Sequence, residues 1–354
     1  MAVDSAPTLA AQAPYTDLVP VGVLDALDAV GLAGDGRLIQ LNSYENRVFQ
    51  VFLEGGRVVV AKFYRPARWS DAQIIEEHRF ALELVRGEVP VAAPIELAID
   101  PGSPHAGAVA SVGPTLAALT TEAHAVYRFA VSERHAGRAP ELEDPEVRRW
   151  LGRYIGRLHA IGARAPFAHR LTLDVDSYGT ASRDFLLAQR LVSDDVAERW
   201  RELADRALAA CRDAFAATAA RPIRLHGDCH PGNVLWTDAG PHFVDLDDAV
   251  NGPAVQDLWM LLSGDRAAMT RQLLDVLEGY EAFMDFDWRE LRLVEPLRTL
   301  RVLHHSAWIA RRWGDPTFPI NFPWFASPAY WADQCTRLAE QLEAMAEPPL
   351  GSPA

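Results

Sequence analysis

The segment His226-Gly-Asp-Cys-His-Pro-Gly-Asn carries a carboxylate, Asp228, five positions before an amide, Asn233, in a stretch whose Gly227, Pro231 and Gly232 favour tight, fixed turns. Seventeen residues after Asp228 a second carboxylate, Asp245, ends the apolar run His242-Phe-Val. Hairpin-like pairing of that run returns Asp245 to the same place. Hard oxygen donors in this number suit Mg²⁺ rather than zinc. The chemistry that needs such a set is phosphoryl transfer, in which a carboxylate orients and deprotonates the attacking hydroxyl while metal ions neutralise charge on the nucleotide phosphates. Asp228 is the candidate for the first task, and Asn233 and Asp245 for the second.

Neighbours of Asp228 invite other readings. His226, Cys229 and His230 are residue types that bind zinc, and Cys229 is a candidate nucleophile. Adjacent residues point apart, and no second Cys/His cluster completes a tetrahedral site. His226 is better read as ordering the loop through a hydrogen bond. A period of two puts Asp247 on the face of Asp245, where it either touches metal or joins Asp248 in a solvated acidic edge; both stay open.

These groups need a scaffold and a nucleotide site. Arg37 to Tyr64 reads as strands, with Glu54-Gly-Gly as the turn of a hairpin. Lys62 lies in its second arm, within Val59-Val-Ala-Lys-Phe, and is the candidate cation for the nucleotide phosphates. Ser70 with Gln73 forms a capping box that opens a helix bearing Ile74, Ala81 and Leu84 on one face. Glu77 shares that face and is the expected ion-pair partner of Lys62, with Glu76 as the competitor. No Gly-x-Gly-x-x-Gly precedes Lys62. The corresponding turn reads Asn42-Ser-Tyr-Glu-Asn, so phosphate contacts fall to Ser43 and backbone amides.

Pro90 to Gly113 reads as loops and short strands, and Ala125 to Val131 as a further strand. From Pro145 onward the periodicity is helical, interrupted once by the strands and turns that carry the candidate site. The expected fold is α+β and two-lobed: a nucleotide-binding lobe and hinge over 17–131, β-rich with one main helix, and a larger, mainly helical catalytic and substrate lobe over 132–346. Residues 1–16 and 347–354 read as flexible ends. The C-terminal aromatics Trp308, Trp313, Phe322, Trp324 and Trp331 read as core, with His304, His305, Arg311 and Arg312 as alternative lining of a substrate groove.

A formal net charge of −14 without a dense Lys/Arg run argues against nucleic acid and anionic membrane as partners. A nucleotide would then rely on metal and a few placed cations. Three scattered cysteines make no disulfide framework, the N-terminus shows neither leader nor anchor, and a cytoplasmic location is expected.

The Asp-x4-Asn loop followed by a strand-borne Asp resembles the protein-kinase-like superfamily, and His-Gly-Asp its aminoglycoside phosphotransferase and choline kinase branch. More narrowly, Leu225 to Trp236, Phe243-Val-Asp-Leu-Asp-Asp-Ala, Asn251-Gly-Pro-Ala-Val-Gln-Asp-Leu-Trp and Arg311-Arg-Trp-Gly-Asp-Pro are similar to the bacterial stress response kinase A family. The resemblance implies a monomeric, cytoplasmic Ser/Thr protein kinase of the stress response, with ATP as co-substrate, Mg²⁺ as cofactor and proteins, including the chain itself, as acceptors. It implies that Asp228 is the proton acceptor, that Asn233 and Asp245 bind magnesium, that Ser43 contacts ATP and that Asp257 anchors the catalytic loop. No activation loop is visible, because Asp245 is followed almost directly by Gly252-Pro-Ala-Val-Gln-Asp. Two other readings remain: a small-molecule kinase, which needs the same Asp228, and a pseudokinase that binds nucleotide without turnover.

Overall fold

The structure, a computed structural model, describes residues 14–351. Its first part is an antiparallel sheet of strands β1 (Gly34–Leu41), β2 (Arg47–Leu53), β3 (Val58–Phe63), β4 (Val109–Gly113), β5 (Leu116–Thr120) and β6 (Val126–Glu133), in the order β1-β2-β3-β6-β5-β4. Two glycines at positive φ, Gly55 and Gly56, turn β2 into β3, as the hairpin reading expects. The register sets Lys62 opposite Val48 on one side and Ala130 on the other, so the lysine stands on a central strand. Alternation sends Phe49, Val51 and Phe63 to the covered face, where Val23 and Leu27 of helix α1 (Pro20–Asp28) close the core. Periodicity alone had not revealed α1.

Helix α2 (Asp71–Arg86) begins at the Ser70–Gln73 capping box, both halves of which form. Its Phe80, Ala81 and Leu84 pack with the helical part of the chain rather than with the sheet, so α2 spans the two lobes. The remainder comprises α3 (Pro145–Gly162), α4 (Ala181–Ala188), α5 (Ala197–Thr218), α6 (Gln256–Trp259), α7 (Arg266–Tyr280), α8 (Val294–Arg311), α9 (Thr317–Asn321) and α10 (Pro328–Ala346). Helices α3 and α7 pack at backbone contact: a Cβ on Gly152 would lie 1.9 Å from the Val276 carbonyl oxygen. Only glycine permits that approach.

Within the helices sit four short strands, β7 (Ile223–Leu225), β8 (Val234–Thr237), β9 (Gly240–Phe243) and β10 (Val250–Gly252). β8 and β9 form an antiparallel hairpin, and β10 pairs with β7. The chain leaving α2 joins them: Ala92 N–H donates to the Phe243 carbonyl at 2.9 Å, and Phe243 N–H to that of Pro90 at 2.8 Å.

The ends need correction where they are described. Tyr15 is buried, stacks on Tyr127 and donates its hydroxyl to the Glu45 carbonyl at 3.1 Å. Leu350 is buried in the large core, and Glu347 pairs with Arg266. An aromatic ring and a leucine with apolar partners stay packed despite their terminal positions. The flexible reading of 1–13 and 352–354 lies outside the described residues. No described helix is long and apolar enough to cross a membrane.

Candidate active site

The loop after β7 is fixed from beneath. Asp257, wholly buried on α6, accepts the backbone N–H groups of His226 and Gly227, each at 2.8 Å. His159 of α3 bridges the Asp257 carboxylate and the Tyr280 hydroxyl, at 3.0 Å to each. The His226 ring is 2.9 Å from the Val244 carbonyl, tying the loop to the strand end before Asp245. Gly227 sits at φ +86°, and a Cβ there would lie 2.1 Å from the Asp248 carbonyl oxygen.

On this base Asp228 reaches the cleft. Arg301 of α8 donates Nη1 to its Oδ1 at 2.6 Å, and His230 Nε2 stands 3.4 Å from Oδ2. Burial pushes the Asp228 carboxyl up, yet the His230 hydrogen bond and the Arg301 charge outweigh it and hold the group well below the usual carboxylate range. Asn233 donates Nδ2 to the Asp228 carbonyl at 2.9 Å, which leaves its amide oxygen for a cation. The Val244 N–H donates to the Asn233 carbonyl at 3.0 Å, and the next residue, Asp245, turns out of β-geometry at φ 60°, ψ 61°. A left-handed non-glycine residue is uncommon and clusters at functional sites.

Lys62 Nζ lies 2.9 Å from Asp245 Oδ1 and 3.8 Å from Asp247 Oδ1. Burial favours the neutral amine, but the charges of Asp245 and Asp247 overcome it and keep the ammonium. Asp247 is buried, pairs with Arg68 and accepts Asn46 Nδ2 at 3.2 Å. Its place is therefore within the site and not on a solvated edge.

The Glu77 expectation is corrected in part. Glu77 is buried at the back of the cleft, its carboxyl pushed up to about 7 by desolvation, but it makes no ion pair with Lys62; the lysine is held by Asp245 instead. Glu76 accepts the N–H groups of Ala168, His169 and Arg170 at 2.6, 2.8 and 2.9 Å and so ties α2 to the larger lobe.

Ser43 is half-buried in the β1–β2 turn, at the rim of a cavity of about 830 Å³ that Lys62, Asp228, Asn233 and Asp245 also line. That turn is pinned from the other lobe. Glu45 accepts the Trp308 indole N–H at 2.7 Å and forms ion pairs with Arg312 at 2.6 Å and Arg65 at 2.9 Å.

The donor set fits a small hard cation. The Asn233 amide and the Asp245 carboxylate, half exposed to the cleft, supply oxygen only, and the buried Asp247 Oδ1 takes no hydrogen bond. One or two protein ligands beside substrate phosphates is the usual arrangement for Mg²⁺. No cluster of three or more His, Cys, Asp or Glu with metal-holding geometry exists among the described residues, and burial raises the Cys229 thiol well above its ordinary range. Neither the zinc nor the thiolate reading gains support.

Arg301, Arg68 and Glu45 had not been singled out from sequence. Arg301 at helical spacing from His304, His305 and Trp308 on α8 was the available signal for the first. His304, His305 and Trp308 line the cleft, whereas Arg311 lies over Phe185 and Arg312 serves Glu45.

Comparison with known proteins gives the family and the fold. The model of the phosphotransferase enzyme family matches residues 37–294. The chain is 44% identical over 340 residues to "Stress response kinase A" of Escherichia coli (strain K12), covering 95% of this chain and 96% of that protein. It is 44% identical over 336 residues to "Serine/threonine protein kinase RdoA" of Salmonella typhimurium, with the same coverage. Among solved structures, amicoumacin kinase bound to AMP-PNP, Ca²⁺ and its ligand aligns at TM-score 0.69 and 17% identity, over 94% of each chain. A microcompartment-associated aminopropanol kinase aligns at 0.64 and 18%, over 91% of this chain and 97% of that one.

Proposed function

The chain belongs to the stress response kinase A branch of the phosphotransferase enzyme family, and from that premise we propose that it transfers the γ-phosphate of ATP to serine or threonine hydroxyls of proteins. The observation that carries the chemistry is the convergence of Asp228, Asn233, Asp245 and Lys62 on one cleft. Relatives alike over nearly the whole chain, one of them named a serine/threonine protein kinase, favour a protein acceptor. The solved neighbours named for small molecules share the fold at under 20% identity, and they motivate the second reading, a small-molecule acceptor. The cytoplasmic location, monomeric state, stress role and self-phosphorylation implied by the resemblance belong to the same proposal.

Asp228, held ionised and in place, accepts the hydroxyl proton as the acceptor oxygen attacks phosphorus. The new O–P bond forms, the bond to the β-phosphate oxygen breaks, and ADP departs with its electron pair. Lys62 neutralises phosphate charge, and Ser43 with the pinned β1–β2 turn covers the nucleotide. Glu77 supports the lysine side of the cleft electrostatically. Asn233 and Asp245 are the residues that would hold Mg²⁺, which when bound neutralises charge on the phosphates.

The test is radiolabel transfer from ATP with Mg²⁺, comparing wild type with Asp228→Ala on a generic protein, on the chain itself and on hydroxylated small molecules. Label on protein that disappears in the variant supports the reading. Label confined to a small molecule moves the assignment to the second one, and nucleotide binding without transfer to protein, small molecule or water to a pseudokinase.

A further inference from the structure

The contact between α8 and the catalytic loop has no counterpart among the roles assigned above. Arg301 comes from a helix 73 residues beyond Asp228, and its guanidinium meets Oδ1 of that carboxylate at 2.6 Å. Oδ2 is left with His230 Nε2 at the longer distance of 3.4 Å. Oδ1 is thus held by the short charged contact, and Oδ2, with only the longer His230 contact, is the oxygen placed to take an acceptor hydroxyl.

An exposed ion pair on a flexible surface contributes little. This one is differently placed. The Arg301 side chain is 44% exposed, but the Asp228 side chain is only 23% exposed, its loop is pinned at His226 and Gly227 by the buried Asp257, and Arg301 stands on the cleft wall beside Leu297, Leu300 and Trp308. The same helix and its C-cap residue Arg312 grip the β1–β2 turn, through Trp308 and Arg312 to Glu45. One rigid element therefore touches both the base and the cover of the cleft.

The charge balance asks for such a group. The chain carries a net −14, and Asp228, Asp245, Asp247 and Asp248 all line the cavity into which a polyanionic nucleotide must enter. Lys62 lies against Asp245, and Arg68 pairs with Asp247 and Asp248. Both cations serve the metal-side carboxylates. On the wall behind Asp228 the two histidines of α8 give no charge near neutrality, since burial pushes His304 down to about 3 and His305 to about 4. Arg301 is the cation the structure places on the base itself.

We infer that Arg301 is a positioning residue of the phosphoryl transfer: it locks Asp228 with one carboxylate oxygen aimed at the acceptor hydroxyl. This rests on the phosphotransferase reading but not on the choice between protein and small-molecule acceptors. Because a loose transition state draws more on orientation than on base strength, the loss appears in turnover and not in nucleotide affinity.

The test compares Arg301→Gln, Arg301→Lys and Arg301→Ala with wild type, measuring kcat and KM for ATP on a generic protein acceptor and, separately, ATP hydrolysis with water as acceptor. Arg337→Gln, an exposed arginine on α10, serves as the control. The expected result is a fall in kcat of about 10–100-fold in Arg301→Gln with KM for ATP within about twofold of wild type, partial recovery in Arg301→Lys, and recovery of Arg301→Ala by added guanidinium. An unchanged kcat overturns the inference. So does a loss in kcat matched by a fall in the urea midpoint and not restored by lysine or guanidinium, or a loss expressed in KM for ATP. If wild type labels no protein, the protein-acceptor reading fails while the hydrolysis rates still decide the role of Arg301: a drop in Arg301→Gln supports it and equal rates refute it.

Discussion

Trp308 donates its indole N–H to the Glu45 carboxylate at 2.7 Å across 263 residues of sequence, joining the β1–β2 turn at the rim of the cleft to the wall of the opposite lobe. Glu45 is buried and also meets Arg65 and Arg312. Removing one partner of a buried charge group leaves the others uncompensated. Glu45→Ala is expected to lower stability by about 3–5 kcal/mol and to raise KM for ATP several-fold. Trp308→Phe, which loses one hydrogen bond to a charged group, is expected to cost roughly 1.5–3 kcal/mol. Urea unfolding and steady-state kinetics on both variants check the order, and equal stability of Glu45→Ala and wild type would refute the pinned-turn account.

Gly227 combines a left-handed φ with a carbonyl 2.1 Å from where a Cβ would stand. An alanine there must move the Asp248 backbone or the catalytic loop, so Gly227→Ala is expected to reduce kcat by at least about 100-fold, since small misplacements of catalytic groups have effects of that size. A variant within threefold of wild type would show that the loop tolerates displacement.

Glu76 links α2 to the metal-side loop indirectly. It accepts three N–H groups of residues 168–170, and Arg170 Nη2 donates to the carbonyls of Leu246 and Asp247, at 3.2 and 2.8 Å. Glu76→Ala is expected to lose about 1–3 kcal/mol of stability and part of the activity, whereas Glu76→Gln, which keeps an accepting oxygen, loses less. Thermal melts and kcat for the pair decide it.

Glu290 provides the pH test. It is buried, accepts the Val255 N–H at 2.9 Å just before α6, and desolvation pushes its carboxyl up to about 7 from an ordinary 4.5. Between those values the unfolded chain releases its proton while the folded chain keeps it, so stability from this group is full below pH 4.5 and falls as pH rises to about 7. Glu290→Gln keeps the acceptor without the proton. Relative to wild type, its stability is expected to rise by about 3 kcal/mol from pH 4.5 to 7.5, at about 1.4 kcal/mol per pH unit. A difference independent of pH in urea titrations at the two values would show that Glu290 is ionised in the folded protein.

Much of the site was legible because it is local. Asp228 and Asn233 share one turn-rich loop, Asp245 returns on a two-strand hairpin, and the Ser70–Gln73 box marks the start of α2 within four residues. Short-range hydrogen bonding and period-two alternation dictate such features wherever the segment sits. The helix α1 escaped because nine residues give a weak period, and the packed ends at Tyr15 and Leu350 because their partners lie elsewhere in the chain.

The sequence by itself determined the α+β order of elements, the candidate carboxylates and the absence of a Gly-x-Gly-x-x-Gly before Lys62. Only the tertiary structure decided which charges meet. Lys62 finds Asp245 183 residues away rather than the Glu77 that helical spacing suggested, and Arg301 finds Asp228 across 73 residues. A helical face specifies that Glu77 points inward, but which buried carboxylate a flexible lysine reaches depends on the packing of one lobe against the other. That pairing is set by distance in space and by the desolvation each charge must offset, and neither quantity is written in the spacing of residues along a chain.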